Sequence, residues 1–198
     1  MPHQGPSCRR TQILDAACEL FRGQGPGKTT IAQIARAAEV GVGTVYLEFR
    51  SKAAIIAALS GRRHDGVLAA MHAAAHDETR GFEDRFKAIF DVRTERLLEL
   101  AGEGDHASSL LCASSCAAVR EACSTFHGSQ VTLINEFIQR AQKAGAFQTR
   151  GTEAAHAVIL AYASFEAPQL LTRDQARIKA ELSAMHRLIL DGLRQRAG

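Results

Sequence analysis

The chain has 198 residues, 46% of them apolar and 23% charged, with a formal net charge of +3. That balance suits a soluble globular protein large enough to bury a substantial core. No apolar run approaches the ~18 residues of a membrane span, and the opening MPHQGPSCRR has no apolar segment, so neither a membrane partner nor a secretion signal is expected.

Five cysteines, an odd number without CxxC spacing, argue against a disulfide framework and for a reducing, cytoplasmic location. The charge is unevenly placed. Residues 1–52 hold 7 Lys and Arg against 4 Asp and Glu, whereas 17 basic and 17 acidic residues cancel over 53–198. The positive excess therefore sits on one N-terminal segment, as a surface that meets phosphate requires.

Residues 1–8 read as a disordered tail, and Arg9 and Arg10 lead into a first helix over about Thr11–Arg22. Its Ile13, Ala17, Leu20 and Phe21 form one apolar stripe. Gly23, Gly25, Pro26 and Gly27 end it, and Lys28 and Thr29 follow. Thr30 is a good N-cap for a second helix from Ile31, in which Ile31, Ile34, Ala35 and Ala38 recur at helical spacing.

A turn falls at Glu39-Val40-Gly41, and a third helix runs from about Val42 to Phe49. Val45 and Phe49 face the core, Tyr46 lies along the flank, and Thr44, Leu47 and Glu48 point elsewhere. Two short helices joined by a tight turn make a helix-turn-helix, whose second helix enters a DNA major groove. Eight helical residues span roughly 12 Å, about the width of that groove. The predicted organisation is a helix-turn-helix DNA-binding domain over 9–52 and a helical domain over 53–198, which the family resemblance given below implies to be regulatory and dimerising.

Beyond Ser51 a long segment continues to about Ala75, with Gly61 and Gly66 interrupting its pattern. Phe82, Phe86, Ile89, Phe90, Leu97, Leu98 and Leu100 mark a helix over about Gly81–Ala101. A short apolar piece spans His106 to about Ala113, and a long helix runs from Ser114-Ser115 to Ala144, closed by Gly145. Two last helices cover about Thr152–Leu171 and Asp174–Arg196. Nothing alternates as a strand must. The fold class is all-α, with about nine helices.

The pieces Ile13-Leu14-Asp15-Ala16-Ala17, Leu20-Phe21, Thr29-Thr30-Ile31, Ile34-Ala35, Gly43-Thr44-Val45-Tyr46, Phe49 and Ser51-Lys52 carry a resemblance. In order and spacing, Ile13–Leu59 resembles the DNA-binding domain of the TetR-like (tetracycline-repressor-like) transcriptional regulators. The resemblance implies a ligand-responsive regulator, a repressor more than an activator. It would bind a palindromic double-stranded operator as a homodimer and be released by a small organic inducer. No enzyme activity, cofactor or metal is implied.

On that resemblance the DNA-facing set is Arg9, Arg10, Lys28, Thr29, Thr30, Gly41, Val42, Gly43, Thr44, Tyr46 and Lys52. Lys28 and Thr30 stand at a helix start where phosphate is attracted, Tyr46 offers its hydroxyl, and Lys52 reads as a phosphate clamp. Thr44 suits a base edge, Gly43 allows close approach, and Arg9 and Arg10 reach backbone or minor groove from a flexible arm. Three departures from the family pattern stand out. Glu39 replaces the usual turn Gly, where a left-handed backbone costs about 1 kcal/mol or more. Gly41 replaces a Ser or Thr cap. Leu47 and Glu48 stand where Arg, Tyr or His are commoner, leaving the recognition helix poor in hydrogen-bond donors; Glu48 could accept from cytosine or repel phosphate.

The resemblance also implies an inducer pocket, which Phe86, Phe90, Phe126, Phe137, Tyr162 and Phe165 could line, with Arg93, His127 or Asn135 as polar anchors. A dimer interface is expected from Ala154, Ala157, Val158, Ala161 and Phe165 on one helix and Leu182, Met185, Leu188, Ile189 and Leu193 on the last. An alternative is a thiol or metal sensor. Cys112, Cys116, Cys123 and His127, spaced by 4, 7 and 4, would share one face if a single helix ran through them, although Ser114-Ser115 divides it. Cys123 and His127, one turn apart, would also suit a cysteine-dependent enzyme, although no oxyanion motif or third orienting residue accompanies them.

Overall fold

A computed structural model describes residues 6–103, 106, 110, 117–148, 153–166 and 169–194. Among these, eight α-helices follow one another: α1 (Pro6–Lys28), α2 (Ile31–Ala37), α3 (Val42–Glu48), α4 (Lys52–Ala75), α5 (Phe82–Ala101), α6 (Ala117–Lys143), α7 (Glu153–Ala161) and α8 (Gln175–Arg194). Two short 3₁₀ turns, Ala163–Phe165 and Gln169–Thr172, lie between α7 and α8. The described residues contain no strand, so the all-α reading holds.

The chain packs as two units, one of residues 1–63 with 100–123, the other of residues 64–99 with 124–198. In the first, Ile13, Leu14, Ala17 and Phe21 from α1 meet Ile34, Ala35 and Ala38, then Val45 and Phe49, then Ile55, Ile56 and Leu59 from α4. This is the expected stripe under the helix-turn-helix. Each short helix is too brief to be stable alone, so its structure depends on burying that face.

The Gly-Pro-Gly stretch expected to end α1 at Arg22 bends it instead. Gly25 has φ 80° and ψ 157°, and helical structure resumes through Pro26 to Lys28. The backbone angle is what favours glycine there, and the space beside it is tight. The backbone is one that L side chains avoid, and a Cβ would come within 3.2–3.3 Å of the His106 ring. α1 also starts at Pro6, so Arg9 and Arg10 lie within a helix rather than on a flexible arm.

α4 passes unbroken through Gly61 and Gly66. Ile55, Leu59, Arg63, Val67, Met71 and Ala75 are buried at four-residue steps along it, and that stripe outweighs the ~1 kcal/mol each glycine costs. The single helix expected over Thr152–Leu171 is divided: α7 stops at Ala161, and tighter turns follow. The apolar piece His106–Ala113 falls almost wholly outside the described residues.

Candidate functional site

Thr30 caps α2 through a reciprocal pair. Its hydroxyl accepts from the Gln33 amide at 3.2 Å, and Gln33 Oε1 accepts from the Thr30 amide at 2.8 Å. This capping box fixes where α2 begins. Thr29, one residue earlier, does the opposite of what was expected. It is 1% exposed and its hydroxyl donates to the Gly25 carbonyl at 2.9 Å, so its side chain builds the bend and cannot face a phosphate.

The turn between α2 and α3 runs through Glu39, whose φ of 51° is the left-handed backbone anticipated there. Gly41 is the N-cap of α3 and supplies no side-chain bond. Val45 and Phe49 point into the core, fixing the helix's rotation. Val42, Gly43, Tyr46 and Leu47 are therefore turned outward, and Thr44 is half-buried. Leu47 is 88% exposed.

Arg10 packs its guanidinium 4.1 Å over the Phe49 ring and donates to the Glu48 carbonyl at 2.9 Å. A cation at the C-terminal end of a helix, over an aromatic face, is favoured on both counts. Arg10 thus positions α3, a correction to its expected place on a mobile arm; Arg9 lies beside it in α1, half-buried. Lys52 donates from its ammonium to the carbonyls of Pro26 and Thr29, so the expected clamp is chiefly a tie.

Sequence reasoning passed over two cations. Arg36 on α2 and Arg50 just beyond α3 are exposed, as is Lys28. Among the described residues none of these three is in an ion pair, whereas Arg22, Arg62 and Arg63 in the same unit are answered by carboxylates. Position relative to the apolar stripe was the available signal, since Arg36 falls outside the face set by Ile34, Ala35 and Ala38.

In the second unit, Phe86, Phe90, Phe137, Tyr162 and Phe165 are all buried and joined ring to ring. Phe147 and Phe82 extend the cluster, and Phe126 instead stacks on His64. His127 and Asn135 are half-buried on α6. Arg93 is 0% exposed and paired with Glu166, but its Nε and Nη1 meet no acceptor among the described residues. Burial pulls its guanidinium below the ordinary value, and Glu166 opposes that shift.

An open cleft of about 570 Å³ lies along α5 and α8, and none of the nine residues proposed from sequence lines it. Its wall includes Asp91 and His186, with Leu98, Ile178 and Leu182 as the apolar part. His186 Nε2 lies 3.0 Å from Asp91 Oδ1, and Nδ1 lies 2.7 Å from the Tyr162 hydroxyl. A carboxylate accepts, so Nε2 is the proton-bearing nitrogen toward Asp91, and in the tautomer with bare Nδ1 that nitrogen accepts from the phenol. These residues come together across 95 positions of sequence, beyond the reach of any spacing rule.

The dimer stripe divides in two. Val158, Phe165, Leu182 and Leu193 are buried within the single chain and so are corrected to core. Ala157 and Leu188 are exposed, Ala154, Ala161, Met185 and Ile189 are half-buried, and Leu160, missed from sequence, is 63% exposed. Of the proposed sensor set, Cys112 and Cys116 lie outside the described residues, and Cys123 and His127 are half-buried on α6. Among the described residues no group of three or more His, Cys, Asp or Glu is placed to hold a metal.

Residues 13–59 match the family described as bacterial regulatory proteins, tetR family. The chain is 36% identical over 96 residues to the HTH-type transcriptional regulator BetI of Escherichia coli, a match covering 46% of this chain and 48% of BetI, so about half of that relative is spanned. Among solved structures it resembles the fatty acid degradation regulator FadR from Bacillus halodurans, with a TM-score of 0.65, 20% identity and coverage of 98% and 100% of the two chains. It also resembles reduced NemR from E. coli, with a TM-score of 0.63, 17% identity and coverage of 96% and 100%. At those identities the two structures establish the shared fold.

Proposed function

We propose, on the likeness of residues 13–59 to the tetR family and of about half the chain to BetI, that this protein is a DNA-binding transcriptional regulator, acting as a repressor that a small organic molecule releases. The observation that carries this reading is α3 itself. Its inner residues Val45 and Phe49 lock it into the core, its outer residues Val42, Tyr46 and Leu47 are exposed, and Lys28, Arg36 and Arg50 of the same segment are exposed with no ion pair among the described residues. That suits a groove-reading helix on a segment that also carries phosphate-binding cations.

Within this reading Lys28, Thr30, Tyr46, Arg36 and Arg50 engage the backbone, Thr44 meets a base edge, and Gly41, Val42 and Gly43 line the close approach. Two copies bind a palindromic operator, joined through the exposed apolar residues of α7 and α8. Arg93, with two unanswered donors beside buried aromatics, is the polar anchor for an inducer in the second unit. The inducer lowers operator affinity by favouring the state that does not bind DNA, and each tenfold shift needs ~1.4 kcal/mol of that preference. No helix among the described residues is long and apolar enough to cross a membrane. We place the protein in the cytoplasm and assign it no enzymatic step.

The test is the mobility of DNA from the upstream region of its own gene, with and without protein, over a salt series. Retardation that weakens steeply as salt rises is expected. Failure to retard any fragment at low ionic strength would overturn the proposal.

A further inference from the structure

The outward face of α3 is apolar as well as exposed. Val42, Tyr46 and Leu47 are the large side chains it presents, and Leu47 is covered by almost nothing of its own chain. Gly43 has no side chain, Thr44 and Glu48 are half-buried, and the helix contains no Arg, Lys, Asn or Gln. Those four residue types make the bidentate contacts that distinguish guanine and adenine in the major groove. A reader without them must use something else.

The major groove offers an aliphatic side chain one apolar feature, the C5 methyl of thymine. Charge selects duplex DNA as the occupant of this face over an apolar protein surface, because the same helix-turn-helix segment carries exposed Lys28, Arg36 and Arg50, none of them in an ion pair among the described residues, and such cations favour a polyanion. We propose that Leu47 is the specificity-determining residue of the recognition helix and reads a thymine methyl in each operator half-site. This rests on the DNA-binding reading above and deepens it, since it names the base feature recognised.

The experiment separates the two. A duplex selected by the full-length protein from a randomised pool is remade with deoxyuridine in place of thymidine in the half-sites, a change that deletes only the methyl. Affinity is read by fluorescence anisotropy at fixed salt. The wild type should weaken about fourfold for one methyl and about fifteenfold when both half-sites lose theirs. Leu47→Ala should bind the thymidine duplex weakly and show no further loss with deoxyuridine. Deoxyuridine placed outside the half-sites should change nothing.

A wild-type protein indifferent to the methyl overturns the assignment and leaves DNA binding standing. So does a Leu47→Ala variant that keeps the full deoxyuridine penalty. A protein that selects no duplex overturns the DNA-binding reading itself. Because Leu47 makes almost no contact with its own fold, the variant is expected to fold as the wild type does, which a thermal melt confirms.

Discussion

The ammonium of Lys52 donates to the Thr29 carbonyl at 2.9 Å, and the same nitrogen donates to the Pro26 carbonyl at 2.8 Å. This joins the first residue of α4 to the loop ahead of α2. An ammonium has three N–H groups, so one is left for a phosphate. Lys52→Ala should therefore lower the stability of the protein by about 1.5–3 kcal/mol, the range for hydrogen bonds to a charged group. Urea denaturation should show an earlier midpoint, with DNA affinity falling alike for all sequences. An unchanged midpoint with weakened DNA binding would return Lys52 to the role of a pure clamp.

Glu39 holds a left-handed backbone with φ 51°. Replacing it with glycine removes that strain but adds freedom to the unfolded chain, and the two effects partly offset. Glu39→Gly is expected to raise stability by about 0.5–1 kcal/mol without altering operator preference. A lower urea midpoint would show that the Glu39 side chain stabilises the turn by more than its backbone costs.

Burial, then the negative charge of Asp91, pushes the Tyr162 phenol above its ordinary value of 10.0. Above about pH 10 the unfolded chain has released that proton and the folded chain still holds it, so stability falls as pH rises. The protein has two tyrosines, and Tyr46→Phe leaves Tyr162 as the sole phenol. In that variant, phenolate absorbance near 295 nm should stay undeveloped past pH 10 until the fold is lost. Tyr162→Phe should flatten the alkaline decline and cost about 1–2 kcal/mol at neutral pH, because His186 Nδ1 loses its donor.

Leu160 and Leu188 are 63% and 70% exposed, on α7 and α8. Burying a leucine contributes roughly 1.5–3 kcal/mol, so charging either position should weaken self-association by tenfold or more. Sedimentation of Leu160→Glu and Leu188→Glu is expected to show monomer at concentrations where the wild type is dimeric. Operator affinity should fall with it. Leu193→Glu, which places a charge in the core, should instead unfold the second unit. A wild type that is itself monomeric would remove the dimer.

The helix-turn-helix was legible because its rules are local. Thr30 caps the helix it should cap, Ile34, Ala35 and Ala38 face inward together, and Val45 and Phe49 follow one turn apart. Thr29 failed by a single position, since its inward turn depends on the bend at Gly25. The cap at Thr30 was visible, although its partner Gln33 went unnoticed. Arg10 and Lys52 were marked from sequence as DNA-facing, whereas each reaches a backbone carbonyl 23 to 38 residues away, and composition carries no record of such contacts.

The second unit was less legible for a related reason. An aromatic residue looks the same in sequence whether it frames a space or fills one, and Phe86, Phe90 and Tyr162 pack on one another. The wide apolar stripe of α8 concealed two faces, with Leu182, Leu190 and Leu193 inside and Leu188 outside. Periodicity reports that a helix has a buried side. It does not say whether the cover comes from the same chain or another.

Leu47 leans on no neighbour, so the scaffold is indifferent to what occupies that position. A mutation there carries no folding penalty to be selected against. Duplicated copies of the chain drift at this codon while keeping the same core. The address on the molecule is written where editing it leaves the machinery alone.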